Sequence, residues 1–227
     1  MVMLGIHLKF LLKSKKGVFI FKIFEKKGCY RIMETKKLIE RVLDIQKENL
    51  ENLKNSDYSD KIIEISEQII QCLKNGNKIL IAGNGGSASD AQHFAGEIVG
   101  RFLFDRKALA AVCLNTDTSV LTCVANDYDY DNVFSRQIEG IGCKGDIFIG
   151  ISTSGNSKNI IKAVEVAKEM DITTISFLGK DGGKLIDISD DALLIPYMET
   201  ARVQEHHIMS IHLICQIVEE RIFHHDK

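Results

Sequence analysis

His93 and Glu97 stand four residues apart in a stretch with helical spacing, so an imidazole and a carboxylate leave one face of the helix together. Such a pair can share a metal ion or set a base beside its partner, and it also occurs as a plain surface pair. Near the carboxyl end, Gln204, Glu205, His206, His207 and His212 fall within nine residues. On a helix, Gln204 and His212 would lie about 80° apart around the axis and about 12 Å along it. Both can face one pocket, but joint ligation of a single ion would stretch their reach. His206, His224 and His225 are expected to be solvated. Spacing alone makes this a candidate site and no more.

Two loops offer groups for an anion. The first, Gly83-Asn84-Gly85-Gly86-Ser87-Ala88, follows an apolar run and leads into a helix. Its glycines let backbone N–H groups approach an anion, and the helix start adds partial positive charge. Gly83-x-Gly85-x-x-Ala88 loosely matches a dinucleotide fingerprint, which expects an acid about 20 positions on at the end of the second strand. That strand ends at Asn115, 32 positions after Gly83, so a dinucleotide is disfavoured. The second loop, Gly150 to Ser157, carries four hydroxyls: Ser152, Thr153, Ser154 and Ser157. Capping of the next helix would account for one of these serines and leave the others unexplained. Hydroxyls and amides at a helix start suit a phosphate monoester without Lys or Arg.

The elements that must hold these loops follow from hydrophobic periodicity. Helices are expected from Met33 through Leu50 and over Ser56–Asn75, with Gly76 at the helix end. A strand is expected at Lys78–Ala82, a helix at Ala88–Gly100, and a second strand at Leu109–Leu114. Helical stretches follow around Ser119–Ala125 and Val133–Ile141, then a strand at Asp146–Ile151 and a helix at Ser157–Met170. Strands at Thr173–Leu178 and Ala192–Ile195 precede a long closing helix, Thr200–Phe223. Short apolar strands alternating with helices predict a five-stranded parallel sheet, doubly wound, with helices on both faces. Ligands in such folds sit beyond the carboxyl ends of the strands, where both loops fall.

The 227 residues suit one domain, and one proline among them excludes a proline-rich chain. The net charge of −2 hides two unlike parts. Residues 1–32 hold eight Lys/Arg and one acid, whereas residues 33–227 hold 21 basic and 30 acidic residues. The first part is expected to be an extension outside the fold, with a membrane-surface segment as the alternative. The acidic body argues against a nucleic-acid groove, and no apolar run reaches the roughly 18 residues that cross a bilayer. Six cysteines without a CxxC pair read as free thiols of a reducing cytoplasm.

In order, GNGGSASDAQHFAGE, VANDYDYDNVFSRQ, GISTSGNSKNI, LGKDGG and ARVQEHHIMSIH resemble the phosphoheptose isomerases, the sedoheptulose 7-phosphate isomerases of the sugar-isomerase (SIS) fold. The resemblance covers about residues 35–223 and implies a flavodoxin-like SIS domain. It further implies a cytoplasmic homotetramer with active sites between subunits, making D-glycero-D-manno-heptose 7-phosphate for lipopolysaccharide or other surface glycans. By motif, Asn84, Gly85, Gly86, Asn126 and Asp127 would line the substrate, and Ser152, Thr153, Ser154 and Ser157 would hold its phosphate. His93, Glu97, Gln204 and His212 would bind one zinc ion, with Glu97 and Gln204 also touching substrate. Glu97 would be the base, with His212 serving the sugar oxygens. Neither a nucleic-acid nor a membrane partner is implied.

One departure is Ala201, before Arg202, where some family members carry an acid. The alternatives are a non-catalytic SIS binding protein resembling those that associate with the bacterial replication initiator, and an SIS isomerase for another sugar phosphate. The binding paralogues lack acid/base residues at the positions of Glu97 and His212, and this chain keeps both.

Overall fold

The computed structural model describes the backbone over residues 17–223 and side chains over residues 32–223. The first helix, α1, runs unbroken over Gly17–Lys54, through Met33. The rest of the expected extension, residues 1–16, lies outside the described residues, as do His224 and His225. A second compact unit begins at Ser56. It comprises α2 (Tyr58–Lys74), β1 (Ile79–Gly83), α3 (Gly86–Val99), β2 (Ala111–Cys113) and α4 (Thr118–Asp127), followed by a 3-10 turn at Tyr130–Asn132. Then come α5 (Ser135–Ile141), β3 (Ile147–Ser152), α6 (Lys158–Glu169), β4 (Thr173–Gly179), α7 (Leu185–Ile188), β5 (Asp191–Ile195) and α8 (Thr200–Phe223).

All five strands are parallel, in the order β2-β1-β3-β4-β5. The order reverses between β1 and β3, the switch point of a flavodoxin-like sheet. Every residue of β1 and β3 is buried, as expected of strands covered on both faces. Leu80, Phe148 and Leu178 join Ile138, Ile160 and Val164 in one apolar layer. The neighbouring row points the other way: Phe177 meets Phe94 of α3 and His207 of α8, at centroid distances of 6.4 and 5.9 Å.

Three boundaries differ from expectation for local reasons. β2 keeps only Ala111–Cys113, because beyond it Asn115 pairs through its side chain. The stretch around Val133–Ile141 divides where Val133 and Phe134 bury themselves between the 3-10 turn and α5. α3 starts at Gly86 instead of Ala88, since Gly85, at φ 56°, turns the chain one step earlier. At the sheet's other end, buried Asp146 accepts from the Lys78 ammonium at 2.6 Å and from the amides of Lys78 and Cys143.

His206 is buried, not solvated. Its Nδ1 lies 2.7 Å from the Arg202 carbonyl and its ring meets Tyr197 edge-on. His207 is fully buried, with Nε2 3.0 Å from the Leu178 carbonyl and Nδ1 unpartnered. Burial pulls its pKa down from 6.5 to about 4. The folded state therefore binds this proton less tightly than the unfolded chain, and stability falls as the pH drops from 6.5 toward 4. The full effect is about 3 kcal/mol. Urea unfolding between pH 7 and pH 4 should show this loss, and His207→Gln, which has no such proton to bind, should flatten it.

Candidate active site

The register that pairs Gly83 with Ile151 brings the first loop, after β1, beside the second, after β3. Gly83 has no room for a side chain, because a Cβ there would strike the backbone of Ser87 in the first turn of α3. Its N–H and carbonyl bond reciprocally to the Asn115 side chain at 3.1 and 2.9 Å. Asn115 thus extends the β1–β2 ladder with a side-chain amide. Across the switch point, Asn84 and Asn159 exchange amide hydrogen bonds, both 2.9 Å, and Tyr130 donates its hydroxyl to Asn84 Oδ1 at 3.3 Å. The two loops are knitted together by neutral groups.

In the second loop, Ser157 occupies the N-cap position of α6 but makes no side-chain cap bond. Its hydroxyl instead lies 2.9 Å from that of Ser152. Ser154 accepts from the Asn156 amide at 3.2 Å, and Gly155 donates back to the Ser152 carbonyl at 3.1 Å. Ser152, Thr153, Ser154 and Ser157 therefore surround one helix start, where amides and hydroxyls can receive an anion. Gly155 is left-handed at φ 64°, and a Cβ there would collide with the Gly182 carbonyl. Leu185 N–H donates to the Gly155 carbonyl at 3.0 Å, and Lys184 N–H to Asn156 Oδ1 at 3.1 Å. Gly182 to Leu185, at the end of the LGKDGG stretch and just beyond it, is thus a backbone buttress for the hydroxyl loop.

The helix pair α3 and α8 carries the remaining groups. Gly86 at the start of α3 meets the Gln204 side-chain amide where a Cβ would otherwise sit. Seven residues on, His93 Nε2 lies 2.9 Å from His212 Nε2 and 3.4 Å from Glu97 Oε1. Both contacts advance along the helices in the same sense, so α3 and α8 run side by side in parallel. His93, Glu97 and His212 converge, whereas Gln204 stands against Gly86, about 12 Å back along α8. Phe102 stacks on His212 with centroids 5.7 Å apart and planes 28° from parallel.

Asn126 and Asp127, at the end of α4, are exposed; Asn126 donates to Asp127 Oδ1 at 2.8 Å, and the Cys123 thiol donates to its Oδ2 at 3.4 Å. The Asn126 amide first, then this thiol, hold the Asp127 carboxyl below its usual range. Among the described residues no hydrogen bond joins this pair to the loops, and Tyr130, three residues on, makes the link to Asn84. One group escaped the sequence reading. Asp90 lies on the face of α3 that carries Gly86 and His93, with Oδ2 buried and unpartnered. Burial lifts its pKa from 3.8 to about 6, against the opposing pull of His93. Its spacing from Gly86 and His93 was the available signal.

The donor set of the cluster, two imidazole nitrogens and a carboxylate oxygen, fits a zinc ion in ligand chemistry. Among the described residues, however, no group of three or more His, Cys, Asp or Glu is placed so that it could hold a metal ion as it stands.

A doubly wound parallel sheet with neutral, hydroxyl-rich switch-point loops and an imidazole–carboxylate cluster defines an α/β domain for a phosphorylated small molecule. The family model described as the SIS domain matches residues 35–179. Phosphoheptose isomerase of Helicobacter pylori strain 26695 is 55% identical over 156 residues, covering 69% of this chain and 81% of the relative. That of Clostridium acetobutylicum is 54% identical over 171 residues, covering 75% and 87%. The solved phosphoheptose isomerase of Neisseria gonorrhoeae superposes with a TM-score of 0.77 at 41% identity, over 82% of this chain and 98% of that one. The Francisella tularensis structure gives 0.79 at 31%, with the same coverage. The chain belongs to the SIS-domain family and, within it, to the phosphoheptose isomerases.

Gly155→Ala tests the buttress. A side chain there must adopt a left-handed backbone and meet the Gly182 carbonyl, which should cost more than about 2 kcal/mol. Urea unfolding should read that loss, with phosphate-ester binding weakened in parallel.

Proposed function

We propose that this site interconverts sedoheptulose 7-phosphate and D-glycero-D-manno-heptose 7-phosphate, the first step toward nucleotide-activated heptose. The observation that carries the reading is the convergence of Glu97 with His93 and His212 on the helix pair that flanks the anion-receiving loops. Binding and chemistry sit on separate elements. The phosphate rests on Ser152, Thr153, Ser154 and Ser157, with Asn84, Gly85, Gly86, Asn126, Asp127 and Gln204 along the sugar.

Isomerisation removes a proton from C1 and returns one to C2, while a proton passes from O1 to O2. No electrons leave the substrate, so the reaction needs no redox partner. Glu97, 24% exposed in its side chain and adjoining the cluster, is the base that carries the carbon-bound proton. His212 serves the oxygens and ring opening, since imidazole donates or accepts near neutral pH. His93, Glu97 and His212 would hold zinc, with Gln204 as the family's fourth ligand. A zinc ion there would supply polarisation of the substrate carbonyl.

A homotetramer with shared active sites is part of this reading. It is supported by α1, whose Met33, Leu38, Ile39 and Leu43 are 50–62% exposed in the single chain. No helix among the described residues is long and apolar enough to cross a membrane. Cys72, Cys113, Cys123, Cys143 and Cys215 are free thiols, in keeping with a cytoplasmic enzyme.

Purified protein supplied with sedoheptulose 7-phosphate should release an aldoheptose 7-phosphate, and absence of turnover with zinc added would overturn the reading. Glu97→Gln should lower kcat by about a thousandfold or more while the oligomer persists in sedimentation. Metal analysis of protein purified without chelator should find zinc, and His93→Ala should lose it.

A further inference from the structure

Arg106 and Glu219 form a buried ion pair that no step of the proposed chemistry uses. Their side chains are 2% and 1% exposed, with Nε 3.1 Å from Oε1. Each also serves the backbone around the end of α3. Arg106 Nη2 donates to the Glu97 carbonyl at 2.8 Å, and Nη1 to those of Ile98 and Lys107, both at 3.0 Å. These carbonyls include helix-end acceptors that α3 cannot satisfy within itself. Glu219 accepts from the amides of Phe102 at 3.2 Å and Leu103 at 2.7 Å. Glu219 lies two helical turns beyond His212 on the same side of α8.

The pair therefore grips two parts of the reacting cluster at once. Through Arg106 it fixes the backbone that carries the Glu97 carboxylate. Through Glu219 it fixes the backbone of Phe102, whose ring is stacked on His212. An ion pair buried this deeply adds little net stability over apolar residues of similar volume, because desolvation offsets the attraction. Planar, multiply bonded geometry is what apolar replacements cannot reproduce. We infer that Arg106 and Glu219 are positioning residues for the isomerase, setting Glu97 and, through the Phe102 ring, His212 in register for proton transfer. This inference rests on the isomerase reading. The pair touches neither hydroxyl loop, so it acts on turnover and not on phosphate capture.

Two variants separate positioning from mere stability. Arg106→Met combined with Glu219→Leu removes the pair at similar volume, and Phe102→Leu removes the ring while leaving the pair. Both should retain the fold by thermal unfolding, with kcat lowered roughly tenfold or more and KM within about twofold of wild type. In protein carrying labelled histidine, the His212 imidazole resonance should move in the double variant in the direction seen with Phe102→Leu, as the ring current is lost. A folded double variant with wild-type kcat and an unmoved His212 resonance overturns the inference, as does a rise in KM at unchanged kcat. Should the double variant not fold, Arg106→Lys, which keeps the charge but loses the fork, is judged by the same outcomes. A wild-type protein without turnover removes the isomerase reading alone, since the resonance comparison still decides whether the pair sets the Phe102 ring on His212.

Discussion

The pairing of β1 with β3 is the constraint on which the site depends. Their parallel register puts two chain reversals side by side at the one place in the sheet where the winding changes direction. The groups proposed to receive the ligand hang from that juncture: Asn84 on one loop, the four hydroxyls on the other, and the paired amides of Asn84 and Asn159 between them. Because both strands are buried along their whole length, a one-residue slip would displace an entire apolar row as well as the loops. Core packing and ligand geometry are thereby held by the same register.

The chemistry at this juncture is neutral by construction. Neither loop, Gly83–Ala88 or Gly150–Ser157, contains Lys or Arg, so an anion there would be met by hydroxyls and helix-start amides. Such donors bind by direction as much as by charge, so their backbone has to be rigid. The buttress from Gly182 to Leu185 and the Asn115 clasp on Gly83 provide that rigidity from outside the loops themselves. The helix pair solves a different problem. It gathers His93, Glu97 and His212 on elements separate from the hydroxyl loop.

Much of the architecture was legible because strands buried on both faces write themselves as apolar runs, and the loops as clusters of glycine and serine. The cluster of His93 with Glu97 was legible as a spacing, and His212 joined it through a motif. What stayed hidden was whatever depends on distant partners. His206 looks solvated beside Glu205, yet tertiary packing buries it together with His207. Asp90 shares a helix face with Gly86 and His93 by spacing, but only tertiary packing buries its Oδ2. Arg106 and Glu219, 113 positions apart, read separately as ordinary surface charges. The second strand looked longer than it is, because an asparagine side chain continues its pairing without being strand. Zinc ligation by Gln204 rests on the motif alone, since this side chain lies against Gly86.

The contact between Gly155 and Gly182 has a consequence for descent. The Gly182 backbone occupies the volume a side chain on Gly155 would need, and Ile186 occupies the volume one on Gly182 would need, so neither position can vary on its own. Point mutation has almost nothing to work with at this contact, so the backbone path of the hydroxyl loop is passed on nearly unchanged. Divergence in substrate length must then be recorded in side chains with open space around them. Tyr130, 55% exposed and bonded to Asn84, is such a place, and lineages that share this loop should differ there first.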